Sequence, residues 1–444
     1  MKISFISLGC PKNLVDSEEI LGLLTKAGFD IIEDTNAAEI IIINTCGFIE
    51  SAKVESINMI LETAKLKKTA KLRYLVATGC LAQRYGKELF DELPEVDGFI
   101  GTDCFREIVP FLQRITAGER LLQLDSALPP QDYSKRLLTT PKHYAYLKIA
   151  EGCSNCCSFC SIPQIRGPYV SKPMERIIEE AKELLAAGVK EIILIAQDTT
   201  QYGYDLYGKF RLPELLQALH ALPALKWLRV MYMYPNNFSD ELIECFATMP
   251  KLLKYIDIPL QHASDRLLED MNRHSSKNEV EELLAKLRKK VPGIVIRTTF
   301  IVGFPGETEA DFRQLCEFIK MQQFENAGVF QYSKEEGTVA GARADQVDEK
   351  TKEERYDEIM SEQAKISENC HKKLRGKTLE VVVEGFDEDE PNLAFGRSYR
   401  EAPDIDGAIF IENAGNLKIG DFVKVKIDEG YTYEAVGCVE EDSL

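Results

Sequence analysis

Through the first hundred residues, short continuous apolar runs alternate with stretches whose apolar residues recur every three or four positions. The runs are ISFISLGC, EIIIINTC and RYLVATGC. Such runs predict strands buried on both faces. Between and after them, SEEILGLLTKAGF, ESINMILETAKL and QRYGKELFDEL predict helices, with Ser17 and Ser51 as candidate N-caps and Gln83 near the third start. Strand and helix in alternation predict an open parallel α/β sheet. Each run ends in a cysteine: Cys10, Cys46 and Cys80, spaced 36 and 34 residues apart. The carboxyl ends of parallel strands share one edge, where ligands bind. Three thiols brought there suit an iron–sulfur cluster that keeps one iron free. A single cysteine at such a place is more often a small buried hydrophobe, but the recurrence in register favours ligands. Cys104, closing DGFIGTDC, is the rival for a fourth ligand.

Beyond Pro129-Pro130 and a polar connection, the strand pattern resumes in HYAYLKIA, EIILIAQD, KWLRVMYMYP, YIDIPLQ, IVIRTTFIVGF and AGVFQYS. Helical stretches such as MERIIEEAKELLAAG and NEVEELLAKLRKK fall between them. Six strand–helix units predict a partial (β/α)6 barrel whose site is built from loops at the carboxyl ends of the strands. A charged helix, DEKTKEERYDEIMSEQAKISENCHKKLRG, closes this part as a linker. In TLEVVVEGF, AIFIENAG and DFVKVKIDEG the period shortens to two, and Asn413-Ala414-Gly415 and Gly420-Asp421 mark turns. This end predicts a small antiparallel β-barrel. The expected division is residues 1–128, a linker at 129–142, a barrel at 143–375 and the small barrel at 376–444.

A length of 444 residues leaves room for about three domains. At 45% hydrophobic residues, a sizeable core forms without staples. Twelve cysteines are too sparse for a disulfide scaffold, which places the chain in the reducing cytoplasm with its thiols free. No apolar run is long enough to cross a bilayer; IIIINTCGFI is broken by Asn44 and Thr45. Net charge is −18, and residues 376–444 hold 17 acidic against 6 basic side chains, a net −11. That end is expected to repel phosphate backbones and attract basic partners; the plain alternative is a solvated, solubilising face.

The loop KIAEGCSNCCSFCSIPQIRG follows the first strand of the middle region and carries Cys153, Cys157 and Cys160 as Cys-x3-Cys-x2-Cys. Three thiolates can hold three irons of a 4Fe–4S cube and leave the fourth open. A zinc clip would prefer paired Cys-x2-Cys units and four closed ligands, and Cys156 offers one such spacing with Cys153. The loop resembles the signature of the radical S-adenosylmethionine (SAM) enzymes. On that resemblance Gln197 and Gln261, at strand ends, are candidates to hydrogen-bond the amino-acid end of SAM. Gly303, with Gly306, would let backbone approach its adenosine. Arg273 and Arg297 are candidates for its carboxylate. Each also has a plainer reading, as a satisfied loop residue or an ordinary strand-to-helix turn.

The whole chain resembles the methylthiotransferase family of radical SAM enzymes, in an N-terminal three-cysteine domain, a radical SAM barrel and a C-terminal TRAM-type barrel. The segments SLGCPKNLVDSE, AQDTTQYG, IDIPLQHAS and RTTFIVGFPGET are similar to the branch that modifies small-subunit ribosomal protein S-twelve. Its tRNA-modifying relatives usually carry Gln-Met-Asn after the first cysteine, where this chain has Pro11-Lys12-Asn13. The resemblance implies two 4Fe–4S clusters and SAM. Cys153, Cys157 and Cys160 would hold the cluster that binds SAM, and Cys10, Cys46 and Cys80 the auxiliary cluster that presents sulfur. The implied reaction places a methylthio group on the β-carbon of an aspartate. Reductive SAM cleavage starts it, with an electron donor such as a flavodoxin or ferredoxin. The expected partner is the basic ribosomal protein, with no membrane, no nucleic acid as substrate, and a monomeric enzyme. Methylthiolation of a tRNA adenosine is the alternative, and a non-catalytic metal module docking on ribosomes is a rival of another class.

Overall fold

A computed structural model of the chain describes residues 1–126 and 136–440. The connection expected from Pro129-Pro130 therefore lies outside the described residues as far as 135. The first sheet has six strands, in the order Asp30–Ile31, Lys2–Ser7, Ile40–Thr45, Tyr74–Gly79, Gly98–Ile100 and Leu121–Gln123. Every neighbour pair is parallel. Ile40–Thr45 is buried along its whole length, as an all-apolar central strand demands. Ser7 pairs with Asn44, and Asn44 with Thr78, so the chain leaves all three cysteine-tipped strands at one edge.

The helix starts differ from expectation. The first helix is Pro11–Lys26 with Cys10 at its N-cap, and the third, Cys80–Glu92, begins on the cysteine itself. Ser17 lies inside its helix and bonds Ser7 and Asn44. Glu50–Ala64 starts one residue before Ser51, and Gln83 lies within the third helix. The tight turns at Gly9 and Gly79 bend strand directly into helix and leave no room for a separate cap. Helix amino ends carry positive dipole charge and favour thiolates beside them.

The central region holds two parallel three-strand groups. One comprises Tyr144–Lys148, Glu191–Ile195 and Trp227–Val230, and the other Tyr255–Asp257, Val295–Val302 and Asn326–Gln331. A parallel bridge between Leu228 and Leu252 joins them into a six-strand partial barrel. The charged helix Glu349–Lys372 is part of its wall rather than a free linker. Ile359, Gln363 and Ile366 are buried, Gln363 donates to Phe324 O at 2.9 Å, and Arg355 pairs with Glu307 at 2.9 Å.

The C-terminal residues form a closed five-strand barrel, ordered Thr378–Phe386, Ala394–Arg397, Ile409–Glu412, Ala435–Val439 and Phe422–Gly430. Ile409–Glu412 and Ala435–Val439 run parallel, a departure from the all-antiparallel expectation. The strand Phe422–Gly430 pairs on the far side of Ala435–Val439, so the chain has reversed twice before the two meet. This domain closes the amino end of the central barrel. Arg397 pairs with Glu191, Arg229 donates to Tyr399 O at 3.0 Å, and Tyr255 donates to Asp406 at 2.6 Å. The carboxyl end is left for the N-terminal domain, whose Val15 packs among Tyr146, Ile195 and Met231. Among the described residues no helix is long and apolar enough to cross a membrane.

Candidate active site

Cys10, Cys46 and Cys80 come together where glycine permits it. Gly9 has φ +88°, and a Cβ there would lie 3.0 Å from Cys46 Cβ and 3.3 Å from its Sγ. Gly47 abuts Leu81 and Cys80 in the same way, and Gly79, at φ +92°, abuts Asn44 and Thr45. Asn13 knits the three turns together. Its Nδ2 donates to Leu8 O at 3.0 Å and Thr45 O at 2.9 Å, and its Oδ1 is 3.6 Å from Cys80 Sγ. Burial pushes the Cys46 thiol up to about 11, and the neighbouring Cys80 and Cys10 add to the effect. Burial raises Cys80 as well, against the pull of Arg166. Metal binding reverses such a preference, because a coordinating thiol is deprotonated outright. Cys104 stands apart. It is 0% exposed and packs with Ile100, Phe105 and Ile108, so the expected rival ligand is a core residue.

The second triad lies on the loop between Glu151 and the short helix Ile162–Arg166. Cys153 N donates to Gly167 O at 3.1 Å and Cys160 N to Cys157 O at 3.0 Å, while Ser158 bonds Met271 O and Asp270 O. Phe159 is held against Leu267, Met271, Phe304 and Tyr332. Burial pushes Cys153 up to about 11 and Cys160 to about 12, with Cys157 close to both. Cys156 turns outward. It is exposed, has φ +50°, and its carbonyl accepts from Asn272 at 2.9 Å. Among the described residues no three His, Cys, Asp or Glu close on one metal ion. A zinc site would need sulfurs ~2.3 Å from a single point, whereas thiols that serve separate irons of a cube need not converge on one.

The remaining candidates surround this loop unequally. Gln197 donates to Glu151 at 3.3 Å, and its Oε1 is buried without a partner, an acceptor aimed at nothing in the protein. Gln261 holds the strained φ of +72° while its backbone bonds Thr299 O and Ile301 N. Arg273 lies 3.8 Å from Cys157 Sγ and 4.0 Å over the Tyr234 ring, with Nε unpartnered. Arg297 is occupied, with Asp257 at 2.9 Å and Asp406 of the C-terminal domain at 3.4 Å. At Gly303 a Cβ would meet Lys352 Cγ at 2.2 Å, so the glycine makes room for the closing helix. Glu307, next in that turn, accepts from Gly303 N and is bonded by His262 at 3.1 Å.

Sequence reasoning missed the residues that join the triads. Arg166, fully inside the protein, donates to Asn13 Oδ1 at 2.6 Å and pairs with Asp16 at 2.8 Å and Glu151 at 3.0 Å. Lys148 pairs with Asp16 and, at 2.7 Å, with Glu151. Burial alone would raise the Glu151 carboxyl, yet Arg166 and Lys148 hold it well below the usual carboxylate range. A second buried clamp joins Glu335 of the barrel to Arg84 at 2.7 Å and Lys53 at 3.2 Å. Together the two networks seat Cys10, Cys46 and Cys80 over the carboxyl end of the barrel. A cavity of about 410 Å³, lined in part by Thr102, Lys148, Glu151 and Arg166, opens at the seam.

A three-thiol loop at the mouth of a partial (β/α)6 barrel defines the class: residues 147–319 match the Radical SAM superfamily. Residues 2–101 match the family described as Uncharacterized protein family UPF0004, and residues 376–439 the TRAM domain. Ribosomal protein uS12 methylthiotransferase RimO of a Thermoanaerobacter species is 50% identical over 436 residues, covering 98% of this chain and 99% of that protein. The protein of the same name from Desulforamulus reducens is 48% identical over 437 residues, covering 98% of each. The chain belongs to the RimO family of ribosomal protein uS12 methylthiotransferases. Two solved structures share the fold at low identity. The radical SAM methyltransferase TsrM of Kitasatospora setae has a TM-score of 0.56 at 14% identity, over 77% of this chain and 75% of that one. The cobalamin-dependent radical SAM enzyme OxsB has 0.53 at 12%, over 82% and 56%. As a radical SAM methylthiotransferase, the chain is a transferase that uses SAM and 4Fe–4S clusters. The buried thiols and the unpartnered Gln197 Oε1 suit those groups.

Proposed function

We propose that this chain adds a methylthio group to the β-carbon of an aspartate in ribosomal protein uS12. The observation that carries the reading is the Arg166–Asn13 bond, which ties the loop after Cys160 to the turn after Cys10 across one seam. The uS12 target rests on the named activity of relatives that match nearly end to end. Bound here, the clusters and SAM supply the one-electron and sulfur chemistry that an unactivated C–H bond requires.

The chain's own residues bind, orient and exclude water. Residues 1–128 hold one cluster through Cys10, Cys46 and Cys80, and residues 143–375 hold the other through Cys153, Cys157 and Cys160. The segment 129–142 connects them. Arg273, beside Cys157, offsets thiolate charge, and Gln197 offers its free acceptor to the SAM ammonium. Gln261 and the Gly303 turn border the same mouth. Arg297, committed to Asp257 and Asp406, ties the interior of the barrel to residues 376–444 at its amino end. The net −11 of those residues suits a basic protein and opposes tRNA. The enzyme works as a cytoplasmic monomer supplied with electrons by a flavodoxin or ferredoxin.

Offering uS12 and tRNA side by side to anaerobically reconstituted enzyme tests the reading. A mass gain of one methylthio group on an aspartate of uS12 is expected; modification of tRNA alone would refute it. Iron counts in Cys10→Ala and Cys157→Ala should each fall by about half.

A further inference from the structure

Cations besides Lys12 stand on both sides of the seam, and Glu335 engages Arg84 and Lys53. Arg166 and Lys148 are engaged by Asp16 and Glu151, and Arg297 by Asp257 and Asp406. Arg273 lies on the barrel side, against Cys157 and the carbonyl of Pro259. Lys12 differs from all of them. It is only 9% exposed, and among the described residues no carboxylate lies within hydrogen-bond distance of its Nζ. That Nζ stands 3.2 Å over the Tyr232 ring. An enclosed ammonium that faces no carboxylate is costly, and a countercharge brought by a ligand would offset that cost.

Its position is specific. Lys12 is two residues past Cys10, in the first turn of Pro11–Lys26, so it belongs to the auxiliary side. Tyr232 lies just past the strand Trp227–Val230, at the carboxyl end of the barrel, so it belongs to the SAM side. Tyr232 is held in the left-handed region at φ +59°, a strained conformation that persists where the surroundings enforce it. Its N–H donates to Asp257 at 3.0 Å, and its carbonyl accepts from Thr199 N at 2.9 Å. Asp257, the acid that Tyr232 holds on that side, is thereby committed, since it also accepts from Arg297. The ring is fixed beneath the ammonium and the charge is left available.

We propose that Lys12 recognises the target aspartate. Its ammonium receives the side-chain carboxylate and sets the adjacent β-carbon between the two cysteine triads. This rests on the aspartate reading above. The carboxyl carbon is bonded directly to the β-carbon, so the group that grips it must lie beside the auxiliary thiols and face the barrel mouth. A neutral asparagine or a nucleobase offers no countercharge, so Lys12 selects substrate by charge.

The test uses reconstituted holoenzyme and full-length uS12, with binding read by calorimetry. In one uS12 variant the aspartate that the enzyme modifies, located by mass spectrometry, is changed to asparagine. Wild-type enzyme should bind native uS12 roughly tenfold or more tightly than the asparagine form, as a charge-assisted hydrogen bond implies. Lys12→Met should bring that ratio close to one, and Lys12→Arg should restore part of it. Iron content and electron paramagnetic resonance of Lys12→Met should still report two clusters. Equal binding of both uS12 forms by wild type would overturn the proposal, as would full discrimination by Lys12→Met. Loss of the auxiliary cluster in Lys12→Met would also overturn it, because the lysine would then be the cluster's counter-ion. Failure of wild-type enzyme to modify uS12 at all would instead refute the function itself.

Discussion

Arg166 Nη2 lies 2.6 Å from Asn13 Oδ1 and 2.8 Å from Asp16 Oδ2, and its Nη1 lies 3.0 Å from Glu151. The arginine ends the helix that follows the barrel cysteines, while the asparagine opens the helix that follows Cys10. One guanidinium thus sets the spacing between the two triads. Replacing it with methionine keeps the bulk but leaves Asp16 and Glu151 with Lys148 as their one cation. Removing one partner from a buried ion network costs about 3–5 kcal/mol. We expect Arg166→Met to lower the urea midpoint of the holoenzyme by a corresponding amount. An unchanged midpoint would mean that the network does not hold the seam.

Gly9 makes a sharper test of the auxiliary triad. An alanine there must adopt φ +88° and place its Cβ 3.0 Å from that of Cys46. Gly188 is a matched control, at φ +106° with nothing within 4 Å of an added methyl group. Gly188→Ala should cost about 1–2 kcal/mol of stability from backbone strain alone and keep all its iron. Gly9→Ala should lose the auxiliary cluster, and its iron should fall from about eight to about four per chain. Equal iron in the two variants would show that the Cys10 turn tolerates displacement.

The fold is legible because burial leaves a period in the sequence. The run Ile40–Thr45 reads as a central strand, and it is buried along its length. The glycine–cysteine pairs at the strand ends are also legible, since one local pattern recurs along the chain. What escapes is the chemistry of contact between distant segments. Asn13, Asp16 and Arg166 look like ordinary helix residues until the fold brings positions about 150 apart within hydrogen-bond reach. Arg297 reads as a ligand for SAM, because nothing local shows that Asp257 and Asp406 take its charge. Ser17 reads as a cap because Ser before an acidic pair usually is one. The Gly9 turn starts the helix earlier and leaves that serine to bond Asn44.

Cys156 separates the cluster reading from the zinc clip. With Cys153 it makes the Cys-x2-Cys pair that zinc favours. Its outward turn and its carbonyl bond to Asn272 place it off the loop's inner face. Cys156→Ser should therefore retain the iron and the brown colour of the wild type. Cys156→Gly should be at least as stable, because glycine adopts φ +50° without strain. Loss of one cluster from Cys156→Ser would make Cys156 a ligand and reassign the loop.

Acid should open the seam through Glu335. Burial alone would raise this carboxyl, but bonds from Ser333, Arg84 and Lys53 outweigh it and hold it below its ordinary 4.5. A carboxylate depressed in the folded state contributes stability that is fully present above its unfolded value. That contribution is lost as pH falls through the folded value. Glu151 and Glu180, likewise depressed by their cations, act in the same direction. The stability that these three carboxylates contribute should therefore be full from neutrality down to about pH 5 and fall progressively below it. Glu335→Gln removes one carboxylate from this set and leaves Arg84 and Lys53 without it. The variant should be less stable at neutral pH, by about 3 kcal/mol for a buried pair broken on one side. Its stability should also depend less on pH between about 5 and 3 than that of the wild type. Parallel pH profiles for the two proteins would show that the Glu335 clamp carries no proton-linked part of the fold.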